Sequence, residues 1–341
     1  MFNFGKTEMK GNFNWIGIDK TKKEYPLGKS TPWIWVIEPH FGCNLNCGHC
    51  CNFLIKKEDY HAMDINTWTN AFKIINEVSP TVRVDITGFV GEPTLHPDLL
   101  NFISIARGLV PKVQLQLTTN GINIRNGNYK IADILNAGVN ALYIDQYGSH
   151  EIYEKLAEES GYPYYQYYNK PENAPSNWVY HGPDLKVIVL MEEPSTWPKS
   201  RIRANVLGNW FNNLDWERGK EFNMFKLEEP LTRRCNMPFT YVTLGAHGNY
   251  LMCCQDGLHK TGGTLGNVNE GVEGFKKFWF GEKMQTIRKH LRNKDRAGIE
   301  NCNICNATFS KCDYIYWKHD NLDKYWNGTD WKEIIEKENM P

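Results

Sequence analysis

The sequence predicts an α/β protein: a parallel sheet, open or closed into a barrel, followed by a smaller cysteine-bearing region. Three observations carry that expectation. Short apolar runs alternate with helical periodicity from about residue 31 to residue 228. Around residue 229 that alternation stops. Cysteines crowd into residues 43–51 and return only from Cys235 onward. Strands alternating with helices imply parallel pairing through right-handed crossovers, and in parallel barrels the chemistry sits at the C-terminal ends of the strands.

The first strand is WIWVIE, 33–38. DINTWTNAFKIINEV, 64–78, reads as a helix with Asp64 as N-cap and Ile65, Trp68, Phe72 and Ile75 on one face. TVRVDITG, 81–88, is the second strand. HPDLLNFISIARG, 96–108, is a helix with Pro97 in its first turn and Gly108 near its end. VQLQLTTNG, 113–121, is the third strand, NYKIADILNAG, 128–138, a helix, and VNALYIDQ, 139–146, the fourth strand. LKVIVLM, 185–191, is the fifth and EFNMFKL, 221–227, a weaker sixth. Between the fourth and fifth strands, residues 161–182 are rich in Tyr, Pro and Asn and aperiodic. They read as a long surface loop or an aromatic lid over the barrel mouth. TDWKEIIEKE, 329–338, reads as a short capped tail helix.

With 341 residues the chain is long enough for one large domain and a smaller one. Its 39 basic and 39 acidic residues balance, so a general electrostatic grip on nucleic acid is not indicated. The apolar runs are of strand length, too short to span a bilayer, and the N-terminus has no apolar secretory segment. Ten cysteines in such a chain point to a reducing, cytoplasmic setting in which clustered thiols hold metal.

The spacing Cys43-x3-Cys47-x2-Cys50 places three thiols on one loop after the first strand. A closed zinc site takes four ligands, usually as two separated pairs; with Cys51 as fourth ligand, zinc is the alternative. Three thiolates suit an iron–sulfur cluster in which one iron lacks a protein ligand and is open to a substrate or cofactor.

Here the sequence resembles the radical S-adenosylmethionine (SAM) enzymes. CNLNCGHC, 43–50, looks like their signature, with His49 at the usually aromatic position. TGFVGEPTLHPDL, 87–99, is similar to their second-strand motif, and TTNG, 118–121, to the end of their third strand. AGVNALYIDQYGSHEIYE, 137–154, resembles their fourth-strand segment, with YIDQYG where relatives carry Ser-Leu-Asp. The resemblance implies that Cys43, Cys47 and Cys50 ligate a [4Fe-4S] cluster that chelates SAM and cleaves it reductively. The resulting 5'-deoxyadenosyl radical abstracts a substrate hydrogen. It also implies a cofactor site at Gly91, Glu92, Pro93, Asn120 and Asp145. The Glu92 carboxylate is expected to face the SAM ammonium, and Gly91 to let the backbone approach a ligand. Asn120 offers both a donor and an acceptor, although Asn120-Gly121 also reads as a plain turn.

The second cysteine group comprises Cys235, Cys253, Cys254, Cys302, Cys305 and Cys312. TYVTL and the tight GAHGN turn suggest a hairpin that brings Cys235 near Cys253, and CNIC, 302–305, adds two more thiols. Four such ligands suit zinc or a fully ligated [4Fe-4S] cluster. The layout resembles the SPASM or twitch extension of radical SAM enzymes. That implies one auxiliary [4Fe-4S] cluster on Cys235, Cys253, Cys302 and Cys305, with Cys254 and Cys312 as exchangeable neighbours. Asp256 is the candidate catalytic base, because some oxidising relatives place a carboxylate directly after the matching cysteine. A turn aspartate before Gly257 is the other reading. His40 and His247 read as supporting or surface residues.

The implied architecture is a partial (β/α)6 TIM-like barrel with a small C-terminal iron–sulfur (SPASM/twitch-like) domain. Its parts would be an N-terminal extension (1–30), the barrel (31–228), the auxiliary-cluster domain (229–318) and a tail (319–341). The expected reaction is oxidative, dehydrogenation or bond formation. The short segment before the barrel favours a small polar metabolite over a peptide. A redox-neutral epimerase or peptide maturase and a non-catalytic zinc protein are the alternatives. The expected partners are the substrate and a flavodoxin- or ferredoxin-type reductant, with no membrane.

Overall fold

The structure, a computed structural model, describes residues 32, 34–47, 50–166, 186–191, 229–230, 232, 235, 237–303 and 305. The expected sixth strand at 221–227, the tail helix, His49, Cys312 and most of the 161–182 segment lie outside the described residues.

Along the chain run β1 (Ile34–Ile37), β2 (His40–Phe41), β3 (His61–Ala62), α1 (Ile65–Val78), β4 (Arg83–Ile86) and α2 (Leu99–Leu109). Then come β5 (Gln114–Thr119), α3 (Ile131–Ala137), β6 (Ala141–Asp145), α4 (His150–Glu159), β7 (Tyr164–Gln166) and β8 (Val187–Met191). The hairpin β9 (Tyr241–Leu244) and β10 (Tyr250–Leu251), then α5 (Gly271–Phe280) and α6 (Glu282–Arg292), follow. One sheet holds eight strands in the order β10-β9-β1-β4-β5-β6-β8-β7, and only β10 runs antiparallel. The α/β barrel-type sheet expected from the alternation is therefore present, with β1, β4, β5, β6 and β8 as consecutive neighbours.

The pleat divides the sheet into two chemically different faces. Trp35 and Ile37 on β1, Val84 and Ile86 on β4, and Leu115 and Leu117 on β5 point one way, and all are fully buried. They pack with Trp68, Phe72 and Ile75 of α1 and Phe102 and Ile103 of α2 in one core. Phe275 and Phe278 of α5 complete that core: Phe275 stacks on Trp35 with ring centroids 5.3 Å apart, and Phe278 lies flat on Tyr250 at 4.2 Å. The other face is mixed: β4 and β5 present polar side chains, while Ala141 and Tyr143 of β6 and Val187 and Val189 of β8 form a second, small apolar cluster. Register places Val36, Asp85, Gln116 and Ala141 in one row, Arg83 beside Gln114 in another, and Thr118 beside Tyr143 nearer the strand ends. A closed barrel fills its interior with apolar layers; this inner face keeps an Arg83–Asp85 pair, with Nε to Oδ1 at 2.7 Å and Nη2 to Oδ2 at 2.5 Å.

Three local expectations need correction. Ile65 sits at the start of α1 with 45% of its surface exposed, so the apolar stripe begins at Trp68. The first residues of the aromatic segment are not loop: Tyr164–Gln166 pair in parallel with β8 as the outermost strand. Helix α4 arises where the sequence shows only two fully buried side chains, Tyr153 and Ala157, among charged neighbours, too few for a visible stripe. Asp64 caps α1 as expected, accepting from the backbone N–H groups of Asn66 and Thr67 at 2.9 and 3.0 Å and from the Thr67 hydroxyl at 2.5 Å.

Because that cap satisfies two otherwise orphan amides, Asp64→Ala should lower stability by about 1 kcal/mol. A urea titration should show an earlier midpoint with unchanged slope; an unmoved midpoint would mean that the cap does not anchor the helix.

Candidate active site

The cysteine loop leaves the C-terminal end of β1 and is pinned from below. Asn52, 5% exposed, accepts from the Cys43 N–H at 3.1 Å and donates to the Leu45 carbonyl at 2.8 Å. Tyr60 donates its hydroxyl to the Cys43 carbonyl at 2.8 Å. Its ring covers Gly42, which has φ +108° and no room for a side chain against that ring. Burial pushes the Cys43 thiol up to about 12, and burial likewise raises Cys47. Metal binding requires the thiolate, so these thiols would give up their protons to the metal's charge on coordination. The side chain of Cys51 lies outside the described residues.

Above β4 the motif segment 88–92 folds over the mouth. A Cβ on Gly88 would fall on the Gly91 carbonyl, and one on Gly91 on the His40 carbonyl, so backbone packs on backbone at both. Glu38, wholly buried just past β1, holds this segment: its Oε1 accepts from the N–H groups of Phe89, Val90 and Gly91 at 2.8, 3.3 and 3.1 Å. Glu92 does something other than face outward to an ammonium. Its Oε1 accepts from the Thr94 N–H at 2.9 Å, and from the Thr94 and Thr119 hydroxyls at 2.6 Å each. Its Oε2 accepts from the Asn120 N–H at 2.8 Å. Burial raises the Glu92 carboxyl pKa, against the pull of these hydrogen bonds. Pro93 begins the helical turn that Glu92 caps. Asn120, 7% exposed, reaches back to the cysteine loop, its amide donating to Asn44 Oδ1 at 2.8 Å and standing 3.5 Å from Cys43 Sγ. Motif segment, third-strand end and cysteine loop thus meet in one network.

From β6, Asp145 lies close enough for its charge to bear on Cys47. Tyr147, which sequence reasoning did not single out, places its hydroxyl 3.2 Å from Cys47 Sγ. Gln146 turns inward, donating to Gln166 Oε1 at 2.9 Å and to the Met191 carbonyl at 2.5 Å, and so ties β6 to β7 and β8.

The hairpin β9–β10 carries the second thiol group to the edge of the same sheet, since β9 pairs in parallel with β1. Cys253, Cys302 and Cys305 are buried. Burial pushes Cys253 well up, and the neighbouring thiols Cys254, Cys235, Cys302 and Cys305 push it further. Burial, then Cys235 and Cys305, raise Cys302, while Arg296 opposes them. Arg296 is itself 3% exposed and lies 3.4 Å from the Cys305 carbonyl. Asp256 is fully buried and engaged with its own loop: it accepts from the N–H groups of Lys260 and Thr261 at 2.7 Å each and from the Thr261 hydroxyl at 2.5 Å. That geometry supports a loop staple and gives no support to a base reaching substrate. The same loop sends His259 to Glu38, Nε2 to Oε2 at 2.7 Å.

The donor sets fit iron–sulfur clusters. Each group consists of thiols, soft ligands, brought together from one short loop or from a hairpin and a CxxC. Among the described residues no three Cys, His, Asp or Glu are grouped tightly enough for one metal ion; ligands of a cluster each take a different iron and stand farther apart.

Comparison with known proteins agrees. Residues 37–177 match the Radical SAM superfamily, and residues 235–306 match SPASM, an iron–sulfur cluster-binding domain. The chain thus carries a radical SAM domain and a SPASM domain, which imply [4Fe-4S] clusters and SAM as cofactors. It is similar to the S-adenosyl-L-methionine-dependent 2-deoxy-scyllo-inosamine dehydrogenase of Niallia circulans: 20% identical over 288 residues, 82% of this chain and 96% of that enzyme. A stretch of 122 residues, 35% of this chain, is 33% identical to the 7,8-dihydro-6-hydroxymethylpterin dimethyltransferase of Methanocaldococcus jannaschii, covering 23% of that enzyme. In fold it resembles the crystal structure of BtrN in complex with AdoMet and 2-DOIA, with a TM-score of 0.57 and 19% identity, over 80% of this chain and 92% of that one. Among the described residues no helix is long and apolar enough to cross a membrane.

Two sets of substitutions probe the site. Glu92→Ala leaves four buried donors without an acceptor, so it should cost about 2 kcal/mol or more and weaken SAM binding measured by equilibrium dialysis. Full stability with reduced SAM affinity would instead indicate a direct ligand contact. Replacing Cys43, Cys47 or Cys50 by Ala should abolish reductive SAM cleavage, whereas Cys51→Ala should keep most of it; the reverse for Cys50 and Cys51 would shift the ligand set by one residue.

Proposed function

We propose that this enzyme oxidises a small polar metabolite, by dehydrogenation or bond formation, at the inner face of the sheet, where β4 and β5 are polar. Cys43, Cys47 and Cys50 hold the SAM-binding cluster, and Cys235, Cys253, Cys302 and Cys305 an auxiliary one. When bound, these groups supply a hydrogen-abstracting 5'-deoxyadenosyl radical and a second redox centre able to accept an electron.

The observation that carries the reading is the second buried thiol group, whose Cys253 follows directly on the β9–β10 hairpin that pairs with β1. A site built only to stabilise a small domain has no need to sit there. The residues of the chain then divide the work. Glu38, Glu92 and Asn120 fix the backbone that lines the cofactor site. Asn52 and Tyr60 hold the cysteine loop. Arg296, buried beside Cys302 and Cys305, offsets negative charge on that site, which favours taking up an electron. Asp85, Gln116 and Thr118, with the Arg83 guanidinium, give the inner face donors and acceptors suited to hydroxyl or amino groups. The relative that covers nearly the whole chain is named as a dehydrogenase of an inosamine, which is such a molecule. A peptide is the other substrate class, and a flavodoxin- or ferredoxin-type protein the proposed electron donor.

Cys302→Ala with Cys305→Ala separates an oxidative from a redox-neutral reaction. The barrel site shares no ligand with the auxiliary one, so 5'-deoxyadenosine should still form while oxidised product falls at least about a hundredfold. Circular dichroism must show a folded variant, because the thiol site also braces its segment. A folded variant with full product yield would make the auxiliary cluster structural and the reaction redox-neutral.

A further inference from the structure

We propose that the Glu38–His259 pair is the joint through which the auxiliary-cluster segment sets the geometry of the SAM-binding segment 88–92. Both are positioning residues.

A carboxylate without contact to water needs donors from the protein. Glu38, fully buried, takes them from two sides. The backbone N–H groups of residues 89–91 converge on Oε1, while His259, more than two hundred residues along the chain, meets Oε2 at 2.7 Å. Removing His259 leaves that oxygen to seek another donor, and the nearest are the amides of the motif segment.

His259 is held in place at some cost. Its φ of +55° lies in the left-handed region, unfavourable for a residue with a side chain. Its ring occupies the space beside Gly245, where a Cβ would come 2.6 Å from Cε1. Asp256 clamps the turn that aims it, through Lys260, Thr261 and the Thr261 hydroxyl. Asp256 is also the hydrogen-bonded step between Cys253 and His259: its N–H donates to the Cys253 carbonyl, and its carbonyl accepts from the His259 N–H, both at 3.0 Å. On the far side the Glu92 N–H donates to the Gly42 carbonyl at 3.0 Å, directly before Cys43. A continuous path therefore joins the backbone of Cys253 to that of Gly42, next to Cys43, and Glu38–His259 is its only link made by two side chains.

The consequence is thermodynamic. If filling the auxiliary site orders the loop that carries His259, it must favour the same arrangement of residues 89–91 that SAM requires, and SAM must favour the filled auxiliary site by the same factor. This rests on Cys235, Cys253, Cys302 and Cys305 as ligands; iron content tests that assignment separately.

The experiment measures the SAM dissociation constant of reconstituted, anaerobic enzyme, together with iron content and the electron paramagnetic resonance signal of the reduced barrel cluster. His259→Leu should keep full iron yet bind SAM about tenfold more weakly, and His259→Gln, which still donates, should recover affinity to within about twofold. Cys302→Ala with Cys305→Ala should also weaken SAM binding in the native background, but add little to His259→Leu, because the joint is already cut. If His259→Leu fails to fold, His259→Phe removes the same hydrogen bond while keeping a ring in place. Unchanged SAM affinity in a folded, fully loaded His259→Leu or His259→Phe enzyme would overturn the proposal. So would an affinity loss from the cysteine pair that is undiminished in the His259→Leu background. A cysteine-pair variant that keeps all its iron would contradict the ligand assignment and leave the His259 arm to decide the joint.

Discussion

A carboxylate at the end of β1 has to be satisfied without water, and much of the mouth is arranged around that need. Glu38 draws the motif segment inward by three backbone amides and takes its remaining contact from His259. Once residues 89–91 are fixed, Gly88 and Gly91 must be glycines, because backbone now packs on backbone. Glu92 then reaches the end of β5, and Asn120 the cysteine loop. Each contact is ordinary in strength; together they leave the mouth one geometry.

The two faces of the sheet divide stability from chemistry. The apolar face and helices α1, α2 and α5 form one core. The β9–β10 hairpin shares that core and extends the same sheet, so the auxiliary site is carried on the scaffold that bears the barrel cysteines. On β4 and β5 the inner face, with Arg83, Asp85, Gln114 and Gln116, gives up apolar packing in favour of polar groups, while β6 and β8 keep a small apolar cluster. A protein that needed only to fold would fill that space with aliphatic side chains.

Local signals were readable in the sequence. The C-x3-C-x2-C spacing, the Asp64 cap and the alternation of strands and helices involve neighbours within a few residues, and the structure reproduces the cap and the parallel sheet that the alternation implied. The hairpin was readable too, from TYVTL and the GAHGN turn. What the sequence hid is non-local. Glu38 gives no sign of its role, because its partners stand at 89–91 and at 259. Arg296 reads as one surface arginine among many until burial places it beside Cys302. Glu92 and Asp256 were noticed as acids, but residue type cannot say which way a carboxylate points, and both turn into the protein. Helix α4 and strand β7 were missed because their apolar content is slight and short.

The central claim is that one chain carries two iron–sulfur clusters, one at the barrel mouth and one in the C-terminal thiol group. Metal analysis of anaerobically purified protein tests it most directly. The account predicts about eight irons per chain, with matching sulfide and a brown colour, if both are [4Fe-4S] clusters. A colourless protein holding stoichiometric zinc would contradict it, and about four irons would remove the auxiliary cluster.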